Sequence, residues 1–134
     1  VRMSARERFE RVRRVRLVQE KKREMAEWAL ADARREEERL RGVESELLET
    51  LGAQSLMQGL FLEGKAQALR RNDLHLREAA QVSQAAKAHL DEAARAEKRL
   101  ERAEREAGRR HRSQEEAGAL ATLLDEHLSA ASFE

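Results

Sequence analysis

Val15, Val18, Lys22, Met25, Ala29, Ala33, Glu36, Leu40, Val43, Leu47 and Leu51 follow one another at intervals of three or four, ten steps over 36 residues. The mean interval of 3.6 is the repeat of a straight α-helix, so these positions share one face of a single long helix. No proline occurs anywhere in the 134 residues to interrupt it. Phe9 and Val12 extend the stripe backwards. Ser4 and Glu7 form an S-x-x-E capping box, in which the serine side chain accepts from an early backbone N–H and the glutamate reaches back. The pattern predicts a first helix from about Ser4 to about Leu51.

Gly52, Gly59 and Gly64 then fall within thirteen residues. Each glycine weakens a helix by roughly 1 kcal/mol, which places a hinge at about 52–64. Beyond it, Ala86, Ala93, Leu100, Ala107, Gln114, Ala121 and Leu128 repeat every seven residues, interleaved with His89, Ala96, Ala103, Arg110, Ala117 and Leu124. This alternation of threes and fours is a coiled-coil seam on a second helix of about 65–131. Its alanines imply close approach and modest stability, because a buried methyl contributes far less than a buried isobutyl group. The predicted fold is all-α: a long antiparallel two-helix coiled-coil hairpin, one unit over residues 1–134. The second helix exceeds the first in length, so Leu120, Leu123, Leu124 and Leu128 are expected to lack intramolecular cover and to await a partner. Trp28, beside Ala29, is expected to pack along the edge of the first stripe.

With 40% charged and 3% aromatic residues, the chain holds too little bulky apolar material for an ordinary globular core. It is rich in strong helix formers, which favours long helices burying a narrow stripe. There is no cysteine, which excludes disulfides and thiol chemistry and suits a reducing compartment. The apolar run "LMQGLFL" at 56–62 is far short of the ~20 residues of a spanning helix, and no apolar block follows the basic start as in a signal peptide. These features predict a soluble, cytoplasmic protein.

The net charge of +1 conceals an uneven distribution. Residues 2–23 carry ten basic and three acidic side chains, whereas after Arg112 there are five acidic side chains and no lysine or arginine. In a leucine-zipper DNA reader the basic region lies upstream of the seam, with one face free for the groove. Here apolar residues run straight through the arginines, so one face is committed to protein. Arginine also pairs bidentately with protein carboxylates, and the basic end is read as a surface for an acidic protein, ahead of a merely solvated face and of a site for nucleic acid or anionic lipid.

"GLFLEGKA", Gly59–Ala66, nearly spells a phosphate-binding loop, but a helical pattern precedes it and Ala66 stands where a magnesium-binding hydroxyl is needed. The glycines are read as hinge residues. His75, His89, His111 and His127 form neither an H-x-x-x-H nor an E-x-x-H pair, so no metal or other cofactor is expected. An extended hairpin offers nothing to exclude water or organise an oxyanion site, and an enzyme is not expected. Leu56, Phe61, Leu62, Leu69, Leu74 and Leu76 gather around the hinge. A two-helix tip cannot bury six large side chains, which makes them a candidate docking surface.

"RVRRVRLVQEKKREMAEWALADARREEERL" near the start and "AEKRLERAEREAGRRHRSQEEAGALATLLDE" near the end resemble the flagellar type III export stalk proteins, the FliJ-like family, with the injectisome YscO-like proteins as cousins. The likeness runs from about Phe9 to Glu126, and "LLDE" at 123–126 is its most family-like detail. The family is similar to the central stalk of rotary ATPases, an antiparallel coiled coil whose paired termini enter the export ATPase ring. The resemblance implies ring contacts at Arg11, Arg13, Arg14, Arg109, Arg110, Leu124 and Leu128. It implies contact with the export gate protein through Leu56, Phe61, Leu62, Leu69, Leu74 and Leu76, and a role in escorting export chaperones. Membrane association is then only through partners, at the cytoplasmic face of the inner membrane. The alanine-rich, glycine-dotted middle departs from the aromatic-containing middle of better-known members. Two other readings stay open: a coiled-coil chaperone or scaffold without an ATPase partner, and a basic binder of nucleic acid or membrane surfaces.

Overall fold

The computed structural model describes residues 2–52 and 59–132. Two helices, α1 (Ala5–Gly52) and α2 (Gly59–Ser132), pack against each other as an all-α helical hairpin. The start of α1 is capped as its sequence requires: the Glu7 backbone N–H donates to Ser4 Oγ at 3.1 Å, and the Arg8 N–H donates to the Ser4 carbonyl. At the other junction α2 begins at Gly59 rather than near Lys65, and Gly64 lies inside the helix. Gly59–Ala66 is thus helical rather than a phosphate-cradling loop. The remainder of the expected hinge, 53–58, lies outside the described residues.

The face that α1 buries differs from the expected stripe. Its covered positions include a seam through Phe9, Val12, Arg16, Gln19, Arg23, Ala26, Leu30, Ala33, Glu37, Leu40, Glu44, Leu47 and Leu51, flanked by half-buried Ala5, Glu20, Glu24, Ala31 and Val43. The seam takes twelve steps over 42 residues, an interval of 3.5, which is the period of helices that coil about one another rather than of a straight one. The expected stripe shares Phe9, Val12, Ala33, Leu40, Leu47 and Leu51 with this seam, and Val43 beside it is half-buried, but from Val15 to Ala29 it leaves the covered face. Val15, Val18, Met25 and Ala29 are exposed, while the neighbouring Arg16, Gln19, Ala26 and Leu30 take the covered sites. Trp28 is 68% exposed, so most of the side chain faces solvent rather than the stripe.

On α2 the seam runs Lys65, Leu69, Asn72, Leu76, Ala79, Ser83, Ala86, Leu90, Ala93, Glu97, Leu100, Glu104, Ala107 and His111. The heptad through Ala86, Ala93, Leu100 and Ala107 is as expected. Of the interleaved set, Ala96 and Ala103 are half-buried as expected, whereas His89 and Arg110 are exposed and the neighbouring Leu90 and His111 are covered in their place, with Glu97 and Glu104 also covered.

The packing divides into two compact units. The inner unit, Arg23–Ala93, holds most of the buried side chains, among them Ala26, Leu30, Ala33, Leu40, Asn72 and Ala79. Its seam mixes leucines with alanine and serine, which lets the backbones approach closely. Several of its surface charges pair along each helix. Arg23–Glu27, Arg39–Glu36, Arg41–Glu37 and Arg77–Asp73 stand at 2.6 to 3.1 Å, and Arg35 pairs with Asp32. The hydrogen bond from Arg39 holds the Glu36 carboxyl below its ordinary range. The terminal unit comprises the described residues 2–22 and 94–132. Among the described residues no helix is long and apolar enough to cross a membrane.

Candidate functional site

In the terminal unit the seam is polar as well as apolar. Val12, Leu100 and Ala107 supply the apolar part. Between them the Arg16 Nε pairs with Glu104, both side chains being about one-fifth exposed, and Arg16 also reaches Glu20 one turn on at 3.4 Å. An arginine takes a covered position here because a carboxylate on the facing helix meets it. The seam closes where the Phe9 ring stacks on His111, with centroids 5.9 Å apart and planes 15° from parallel. Gly108 makes room for that ring: a Cβ there would stand 3.1 Å from Phe9 Cε2. The imidazole of His111 lies 3.3 Å from Glu115.

Outside the seam, α1 is a cationic surface. Arg8, Arg11, Arg13 and Arg14 are exposed and make no ion pair among the described residues. Apolar side chains interleave with them, Val15 at 47% and Val18 at 57% exposure. A groove lined by Arg2, Met3, Arg8, Arg11, Val12, Val15 and Leu100 runs along the edge of the seam. It has an apolar floor and arginines on its rim.

Past His111 every described residue of α2 is exposed. Leu120, Leu123, Leu124 and Leu128 stand between 53% and 64% exposed, as expected of a helix that has run out of partner. Of the residues expected to face an ATPase ring, Arg11, Arg13, Arg14, Arg109, Arg110, Leu124 and Leu128 all belong to this unit and all are exposed. Arg109 borders a groove with Phe9, Arg105 and Arg112. Arg110 is paired with Glu106 at 2.7 Å, so it is less available than the free arginines of α1.

Of the residues expected to face an export gate, the described ones fall in or beside the inner unit's seam. Phe61, Leu62 and Leu74 are exposed, at 67%, 47% and 58%. Leu69 and Leu76 instead occupy covered positions flanking Asn72, where they hold the helices together and offer little to a partner. Leu56 lies outside the described residues. Two surface features were missed from sequence: the exposed Val15 and Val18, absorbed into the wrong stripe, and Gly108, whose close approach to Phe9 carries no local signal.

Among the described residues no three acidic or histidine side chains stand together as a metal site. No protein-family model, curated protein or solved structure matches this chain.

Proposed function

We propose that this chain is a non-enzymatic stalk of a type III protein export apparatus, seating its terminal unit in the export ATPase ring and engaging the export gate through Phe61, Leu62 and Leu74. One observation carries the reading: Arg11, Arg13 and Arg14, exposed and without an ion pair among the described residues, share a unit with an uncovered helix end bearing Leu124 and Leu128. Such a surface suits a partner that offers both carboxylates and apolar pockets. The resemblance of the two terminal stretches to FliJ-like proteins supplies the identity of that partner. A protein of this kind works in the cytoplasm and reaches the membrane only through the gate; escort of export chaperones is part of the same reading.

The test is stimulation of a purified export ATPase. The chain raises its hydrolysis rate, and the Arg11→Glu, Arg13→Glu, Arg14→Glu triple variant does not, with helicity by circular dichroism unchanged because all three side chains are exposed. Stimulation weakens with salt, since exposed charges are screened over ~8 to 10 Å at physiological ionic strength. Undiminished stimulation by the triple variant excludes the basic face as the contact, and no stimulation by the native chain returns the protein to the class of scaffolds without an ATPase partner.

A further inference from the structure

The same unit carries two unpartnered surfaces of opposite character. One is the groove of α1, with Met3, Val12, Val15 and Leu100 as its apolar floor and Arg2, Arg8 and Arg11 along it. The other is the arm of α2 beyond the seam, residues 113–132, with four carboxylates, no lysine or arginine, and exposed Leu120, Leu123, Leu124 and Leu128. At 100° per residue Leu120, Leu124 and Leu128 share one face of the arm, Glu116 and Asp125 lie on its two flanks, and an amphipathic acidic helix results. An apolar groove rimmed by arginines is the complement of such a helix. The arm does not fill the groove of its own chain, because all its described residues are exposed.

We propose that the arm of one copy docks in the α1 groove of a second copy, and reciprocally, giving a two-fold symmetric homodimer. Reciprocity doubles the contact at no extra orientational cost, as in any isologous dimer. Charge selects this pairing over the other ways two copies could cover these surfaces. Arm against arm would set carboxylates against carboxylates, and groove against groove would set Arg8 and Arg11 against their equivalents. Arm against groove brings opposite charges together and buries leucine on valine and methionine. In the stalk reading the same surfaces engage either a second copy or the ring; the dimer itself does not depend on that reading and is tested with the chain alone.

Sedimentation velocity of the purified full chain provides the test. At low salt it runs at twice the chain mass, and raising the salt from about 50 to about 500 mM shifts it to monomer, because the charges involved are exposed. Arg8→Glu with Arg11→Glu gives a monomer, and so does Glu116→Lys with Asp125→Lys, each with native helicity. Mixing the two variants restores a dimer, since both docking contacts in the mixed pair are again between opposite charges. Recovery of at least tenfold in dimer affinity over either variant alone is the expected result. A native chain that stays monomeric at low salt overturns the proposal, whatever acidic partner it binds. So does a dimer that both variants retain, or a mixture that fails to recover it.

Discussion

The Asn72 side-chain nitrogen donates to the Leu40 carbonyl oxygen across the two helices at 2.9 Å, and Asn72 is only 6% exposed. A covered asparagine among leucines and alanines costs stability but has only one helix register in which its amide is satisfied. It therefore fixes how the two helices of the inner unit align. Asn72→Asp keeps the shape and loses the donor, setting a carboxylate against a carbonyl oxygen. It should destabilise by about 1–3 kcal/mol in denaturant unfolding at neutral pH. Asn72→Leu should be far milder or even stabilising, with broadened amide resonances reporting more than one register.

Gly108 and Gly118 make a matched pair for a second prediction. Nothing stands within 4 Å of a Cβ built at Gly118, so Gly118→Ala should gain the full helix-propensity difference, about 1 kcal/mol, in the helicity of the arm. Gly108→Ala should gain less, because its methyl pushes on the Phe9 ring at 3.1 Å. Gly108→Leu displaces that ring outright. Thermal unfolding followed by circular dichroism separates the three, and equal gains from both alanine variants would show that Phe9 yields freely.

The Arg16–Glu104 pair leads to a third. Glu104→Ala leaves an arginine facing the seam with only Glu20 to answer it, a loss of about 1–2 kcal/mol. Replacing both residues by leucine should recover that loss or exceed it, because a well-packed apolar pair often matches a covered ion pair. Unfolding of the two variants by urea decides between them.

Phe61 and Leu62 test the other partner surface. Both are exposed, so Phe61→Ser with Leu62→Ser should leave the unfolding midpoint nearly unchanged. In the stalk reading it reduces binding to the gate protein while ATPase stimulation survives. Loss of both activities together, with a lowered midpoint, would show instead that these residues hold the helices closed.

Much of this protein is determined by sequence alone, through local effects. The lack of proline and the abundance of helix formers dictate helices, and Ser4 sets where the first begins. Gly52 is the last residue of the first helix and Gly59 the first of the second, and the excess length of the second leaves Leu120 to Leu128 uncovered. Which face each helix buries was decided only by the tertiary structure. Along the first helix, Val15, Val18 and Met25 are the more hydrophobic choice, yet Arg16, Gln19 and Ala26 are covered. One helix alone does not reveal that Glu104 waits opposite Arg16, that Asn72 finds the Leu40 carbonyl, or that Phe9 needs Gly108 beneath it. Two helices that stay in contact must also keep a 3.5-residue period, and the hydrophobic pattern of one of them does not settle which face keeps it. The register belongs to the pair, because the free energy that selects it arises from groups on both helices.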